Sequence, residues 1–452
     1  MTRVMLSGAA VLALTAGGAF AQDLKFAPGE DGRFNWDGYE AFASANDYSG
    51  QTLSITGPWT GKDKELVESV IAYFEAATGA TVRYSGSDSF EQDVVISTQA
   101  GTPPNLAVFP QPGLAADMAS QGFLEPLSQD TADWLVENYA AGQSWVDLSS
   151  YPGPDGKMAL YAFPYKIDVK SLVWYSPAAF DEMGYEIPQT LEELKALTEQ
   201  IVADGATPWC IGLGSGAATG WPATDWVEDL MLRTQPPEVY DQWVTNEMLF
   251  TDERVVNAIG EYGWFARNPD FTPGGPEAVV STDFRDSPAG LFSFPPECFL
   301  HKQATFIPTF FPEGTELGLD ADFFYFPAYE NEDLGQPVLG AGTLLGITED
   351  SEVTRGFIDF LKTDIAHEIW MAQSGFLTPL TSANKDAYAN DTLKSLGEIL
   401  TSATTFRFDG SDLMPSEIGA DAFWSAMVAY TGGKKSAEEA AADVQDRWNS
   451  IK

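Results

Sequence analysis

The 452-residue sequence has few of the residues that most enzyme chemistry needs: two histidines, His301 and His367, and two cysteines, Cys210 and Cys298. Two histidines leave little material for a zinc site or a Ser-His-Asp triad. No C-x-x-C pair, P-loop or G-x-S-x-G elbow occurs, and the G-x-G-x-x-A match at 212–217 meets Pro222 too soon for a long phosphate-holding helix. Basic residues are scarce too. Twenty-four Lys and Arg stand against 66 Asp and Glu, a formal charge of -42, and that field repels nucleic-acid phosphates and anionic lipid headgroups. No nucleic-acid partner, metal or cofactor is expected. Beyond residue 21 the uncharged stretches 94–116 and 205–224 are both broken by Gly and Pro, so neither can span a bilayer as a helix.

What is present begins with an export signature. Residues 1–21 carry one charge, Arg3, and end in Ala19-Phe20-Ala21, which reads as a cleaved secretory signal with the mature chain starting at Gln22. An exported chain with two cysteines favours one disulfide between Cys210 and Cys298 over two free thiols. The length predicts two or three domains, and 44% apolar with 13% aromatic residues is enough to fill their cores. From Thr52 the pattern alternates strand and helix. "TLSITGPWTG" is a strand, "KDKELVESVIAYFEAATG" a helix closed by Gly79, "ATVRYSGS" a strand, "SFEQDVVISTQAG" a helix capped near Ser89, and "PNLAVFPQPG" a third strand. Such alternation predicts parallel sheet in α/β lobes. Further helices are predicted at Leu191 to Ala203, at Asp225 to Arg233, and in two segments near the C-terminus.

The stretch "FPYKIDVKSLVWY", residues 163–175, places Lys166, Asp168 and Lys170 on one face of a strand and Ile167 and Val169 on the other. That face fits either the solvated side of an edge strand or a polar wall beside a ligand. Asp168, Asp225, Asp286, Asp409 and Asp412 could supply an acid and base pair for glycoside hydrolysis, although a chain this acidic offers such sets by chance. Trp59, Trp221, Trp226, Phe310 and Trp424 fall beside Gly, Pro, Asp or Lys at loops and element ends. Aromatic plates flanked by polar groups suit the apolar faces and hydroxyl edges of sugars.

"GPWTGKDKELVESVIAYFEAATG", "QAGTPPNLAVFPQPGLAADMASQGFLEPL", "YAFPYKIDVKSLVWYS", "PVLGAGTLLGITEDS" and "MPSEIGADAFWSAMVAYTGGKKSAEEA", in this order, resemble the maltose-type carbohydrate-binding proteins of bacterial ABC importers. "PWCIGLGSGAATGWPATDWVEDLMLRTQPPE" and "FRFDGSDLMP" add a resemblance to periplasmic alpha-glucoside-binding proteins. The resemblance implies two α/β lobes around a hinge of crossing strands, the first at 22–166 plus 341–389 and the second at 167–340 plus 390–452. It implies sugar binding without catalysis. By the same resemblance Asp168 contacts sugar hydroxyls, with Lys166 or Lys170 orienting it. Trp59 through Asp63, Lys62 included, form a polar loop. Gln111 lies in a contact loop where it departs from the family's usual acidic or basic residue. Trp221 borders the cleft, Phe310 and Trp424 are aromatic platforms, and Gly340 and Gly342 let backbone approach the sugar. Arg407, Asp409 and Asp412 are polar contacts. The implied protein is a periplasmic monomer that hands an alpha-glucoside such as maltose, sucrose or trehalose to an inner-membrane ABC permease. A secreted glycosidase and a receptor for a cationic solute such as a polyamine are the rival readings.

Overall fold

A computed structural model describes residues 24–330, 332–402 and 405–451. The export signal and its cleavage at Gln22 lie outside the described residues. The strand and helix alternation appears where the sequence predicts it. Strands β1 (Thr52–Gly57), β2 (Thr81–Gly86) and β3 (Leu106–Phe109) are joined by the helices Gly61–Thr78 and Phe90–Gln99. Both β2 and β3 pair in parallel with β1. Gly79 closes the first helix at φ 71°, a left-handed conformation that costs glycine nothing. A short hairpin, β4 (Ser150–Pro152) with β5 (Met158–Leu160), leads into β6 (Ala162–Val169).

The remaining strands are β7 (Leu172–Tyr175), β8 (Leu300–Lys302), β9 (Asp322–Tyr325), β10 (Pro337–Ile347) and β11 (Thr405–Phe408). Strand β10 holds the molecule together. One edge pairs antiparallel with β6 along most of its length. The other edge pairs with β3 at Leu344–Ile347 and with β11 at Pro337–Gly340. Strands β6 and β10 therefore cross together from the lobe of the parallel sheet to the second lobe, where β7 continues directly from β6. Their ladder shifts register between Thr343 and Leu344, skipping Tyr165. A bulge of this kind bends and twists a ladder locally, and it falls at the crossing.

The second lobe differs from the parallel sheet that its alternation predicts. Its sheet is β8-β7-β9, three short antiparallel strands, and its core is mostly helical. Trp209, Trp226, Trp243, Tyr262 and Phe265 pack among the helices Trp221–Thr234, Glu253–Ala266 and Ala437–Ser450. The first of these starts four residues before the predicted Asp225. Gly220 sits at φ 120° ahead of it, and Pro222 in its first turn has no N–H to leave unpaired. Cys210 and Cys298 are disulfide-bonded, with Cα atoms 5.4 Å apart. Among the described residues no helix is long and apolar enough to cross a membrane.

Both histidines are packed inside. His367 Nε2 donates to the Leu361 carbonyl at 2.8 Å while Thr378 Oγ1 donates to Nδ1 at 2.7 Å. His301 Nδ1 donates to the Cys210 carbonyl at 2.8 Å. Burial pushes each pKa down from 6.5 to about 4. Neutral histidines favour the fold above pH 6.5, and that stability is lost as pH falls from 6.5 towards 4, because the unfolded chain takes up the protons first. Each shift corresponds to about 3 kcal/mol. Comparing the parent with His367→Gln cancels the other titrating groups: the difference in unfolding free energy between the two should hold level between pH 7 and 8 and shift against the parent below pH 6.5.

Candidate functional site

Between the lobes lies a partly open cavity of about 160 Å³. Its walls come from the ends of elements that the fold draws together. The carboxyl ends of parallel strands are where open α/β sheets place ligands, and here they contribute Trp59 and Asp63 after β1, Ser87, Asp88 and Glu91 after β2, and Gln111 after β3. The crossing strands supply Lys166, Asp168, Ala341, Gly342 and Thr343, with Lys170 just past the end of β6. The second lobe adds Ser215, Trp221, Phe284, Arg285, Phe306, Asp412 and Trp424.

The charged face of β6 is buried, which removes the solvated-edge reading: every residue from Ala162 to Val169 is shielded from solvent. Lys166 Nζ donates to both oxygens of Asp168 at 2.7 and 2.6 Å, and Thr305 Oγ1 donates to Oδ1 at 2.8 Å. Lys170 Nζ contacts Asp225 Oδ1 at 2.8 Å and Asp409 Oδ2 at 2.5 Å. Burial works against the Lys170 charge, but Asp225 and Asp409, helped by Asp412 and Glu228, outweigh it and hold its pKa well above the usual value. Burial likewise opposes ionisation of Asp409, yet Lys170 holds it down at about 2. Asp225 is pushed up to about 8 and Glu228 and Asp412 well above the carboxylate range, in each case by burial first and by neighbouring carboxylates. Carboxylate oxygens of Asp225, Glu228 and Asp409 lie within 4.8 Å of one another, a spacing that could hold a metal. The Lys170 ammonium already contacts two of them, so the cluster has its cation.

Asp63 and Glu91 keep part of their surface exposed and line the cavity. Burial pushes Asp63 up to about 7 against the pull of Lys166, and raises Glu91 as well. The Asp63 carboxyl can therefore donate as well as accept near neutral pH. Three buried atoms of its lining residues have no hydrogen-bond partner: Gln111 Oε1, Thr343 Oγ1 and Trp424 Nε1. Each such group costs about 1–3 kcal/mol.

Of the thirteen ligand contacts expected from the sequence, Trp59, Asp63, Gln111, Asp168, Trp221, Gly342, Asp412 and Trp424 come together around the cavity, as do Lys166 and Lys170. Five others lie elsewhere. Lys62 points to a neighbouring groove and donates to the Phe311 carbonyl at 3.2 Å. Phe310 ends a short helical turn, Ile307–Phe310, and packs behind Phe284 with ring centroids 5.7 Å apart, leaving Phe306 in the wall. Gly340 makes room for Phe406, whose ring would lie 2.1 Å from an added Cβ. Arg407 forms a two-pronged ion pair with Asp241, at 2.7 and 2.9 Å, away from the cavity. Asp409 sits beneath the wall, bonded to Lys170 and accepting from Asp412 N at 2.9 Å. The sequence reading missed Glu91, Phe284, Arg285, Phe306, Ser215 and Thr343. Glu91 had a signal, since it opens a helix directly after a parallel strand; the second-lobe residues gather only through tertiary packing.

Two α/β lobes crossed by a strand pair and closed over a polar, aromatic-walled cavity define a solute receptor. The chain belongs to the family described as bacterial extracellular solute-binding protein, which residues 57–366 match. These are binding proteins and not enzymes. The chain is 64% identical over 459 residues, with 100% of both sequences covered, to the alpha-glucosides-binding periplasmic protein AglE of Rhizobium meliloti. It is 40% identical over 382 residues, 84% of this chain and 89% of the relative, to the osmoprotective compounds-binding protein GgtB of Synechocystis sp.. Among solved structures, the bacterial solute receptor AcbH gives a TM-score of 0.75 at 18% identity, covering 89% of this chain and 100% of that one. Maltose-bound MalE3 of T. maritima gives 0.67 at 16%, covering 89% and 100%. These two share the fold.

The Lys170 network gives a stability test. Removing one partner of a buried ion pair strands the others and costs about 3–5 kcal/mol. Lys170→Met should lower unfolding free energy by that amount in urea titrations, because it leaves Asp409 and Asp225 facing each other. A surface lysine would cost almost nothing.

Proposed function

We propose that the protein captures an alpha-glucoside of disaccharide size in the cleft and delivers it to an ABC permease in the inner membrane. The observation that carries this reading is full-length 64% identity to a protein named for binding alpha-glucosides. Support comes from the cavity chemistry. Trp59, Trp221, Phe306 and Trp424 offer apolar plates, and Asp63, Glu91, Gln111, Asp168 and Thr343 offer donors and acceptors for hydroxyls. In this reading the protein works as a periplasmic monomer, with lobes at 22–166 plus 341–389 and 167–340 plus 390–452. The solute enters when the lobes part and is held when they close.

One observation favours a second reading. Five carboxyl groups, Asp63, Asp88, Glu91, Asp168 and Asp412, stand around the cavity beside Lys166, Lys170 and Arg285, and a cationic solute would favour the ionised form of those that burial pushes up. Isothermal titration against maltose, sucrose, trehalose and spermidine separates the two. One of the disaccharides should bind with micromolar affinity, about -8 kcal/mol; binding of spermidine alone would overturn the glucoside assignment.

Two substitutions test the wall. Trp424→Ala removes an aromatic plate, and its affinity for the bound disaccharide should fall by about 2–4 kcal/mol, thirty-fold or more. Asp168→Asn should cost about 1.5–3 kcal/mol of affinity and also lower the melting temperature, because Lys166 loses the charge that pairs with it. Unchanged affinity in both variants would rule out this wall as the sugar site.

A further inference from the structure

Arg285 stands apart from the other charged residues of the cavity because it reaches from one lobe to the other. Its own lobe holds it first. The guanidinium contacts Asp283 at 3.2 and 3.3 Å and lies over the rings of Phe284 and Phe310, at 4.5 and 5.9 Å. Its Nη2 then crosses to Asp88 Oδ1 at 2.6 Å and to Thr60 Oγ1 at 3.4 Å. Thr60 Oγ1 donates to the same Asp88 oxygen at 3.1 Å. Thr60 follows β1 and Asp88 follows β2, so one side chain gathers two loops of the parallel-sheet lobe. A Cβ on Gly216, from the lobe of Arg285, would lie 3.0 Å from Asp88, which shows how closely the lobes meet here.

We propose that Arg285 and Asp88 form an interlobe clasp that populates the closed cleft before any solute binds, so that Arg285 acts as a positioning residue. The argument rests on preorganisation. Asp283 and the two rings hold the guanidinium plane in place while the lobes are apart, so little side-chain freedom remains to be lost when Asp88 arrives. A receptor whose competent state is only partly populated loses affinity in proportion to that fraction, and a clasp restores part of it. Arg285 and Asp88 keep 23% and 45% of their side-chain surface exposed. Salt therefore reaches the pair, and its effect is the few-fold kind typical of exposed ion pairs. The buried pairs at Lys166 and Lys170 are shielded from salt.

The test uses the full mature protein, Arg285→Gln, Asp88→Asn and the double variant. Without solute, small-angle scattering at low ionic strength should give each variant a larger radius of gyration than the parent, and high salt should bring the parent up to the radius of the double variant. This arm does not depend on the sugar. Equal ligand-free radii in parent and double variant at low salt would overturn the clasp. Maltose titrations form the second arm, which rests on the glucoside reading. Each single variant should bind about two- to fivefold more weakly, with the double variant no weaker than either. Parental affinity for this neutral ligand should fall with salt, and that of the double variant should not. Multiplying effects, or a loss confined to Arg285→Gln with no salt dependence, would mark Arg285 as a direct solute contact and overturn the proposal. A parent that does not bind maltose counts against the glucoside reading, and the scattering arm still decides the clasp.

Discussion

The structure turns on the partners that surround two lysines buried at the cavity wall. Lys166 lies in a strand buried along its whole length and Lys170 just past its end, and an ammonium taken from water is costly unless partners surround it. The fold meets that constraint by convergence. Lys170 fixes the end of β6 to Asp225 on the helix Trp221–Thr234 and to Asp409 after β11. Glu228, one turn further along the same helix, accepts from the backbone N–H groups of Gly410 and Ser411. Three segments far apart in sequence thus meet at one charge. The position of Asp412 and Trp424 beside the cavity depends on that junction.

Around this anchor the cavity is left incomplete in a specific way. Its lysines are paired, but Gln111, Thr343 and Trp424 each hold a buried polar atom without a partner. These three residues belong to the parallel-sheet lobe, the crossing strand and the second lobe respectively. Each carries the cost of an unmade hydrogen bond, so both lobes and the strand between them hold an unmet polar group in residues of the cavity wall.

The parallel-sheet lobe was legible in the sequence because its elements are local and periodic. Helix Gly61–Thr78 shows its apolar spacing and its terminal glycine, and β1 and β2 show their β-branched residues. The Lys166, Asp168, Lys170 face was legible as a pattern, but its burial was not, because alternation looks the same against solvent and against a cavity. Elsewhere local signals were too weak. Strands β8 and β9 have three and four residues and find β7 only through tertiary packing. The run from Phe306 to Phe311 offers three phenylalanines within six positions, and only the path of the short turn between them decides that Phe306 reaches the wall. Arg285 and Asp88 are separated by 197 residues, and nothing in either local sequence announces the other.

The disulfide has a mechanical consequence. Cys210 and Cys298 close a ring of chain with a sequence separation of 88, and that ring contains Trp221, Phe284 and Arg285. If the protein were drawn out by its two ends, the ring could open internally but could not lengthen. At roughly 3.5 Å per residue, about 300 Å of contour would stay locked behind a bond that force of ordinary magnitude does not break. The stretch of second-lobe wall that faces the parallel-sheet lobe is therefore carried on a covalent loop. Traction along the chain would bypass that loop, while the crossing strands took the load.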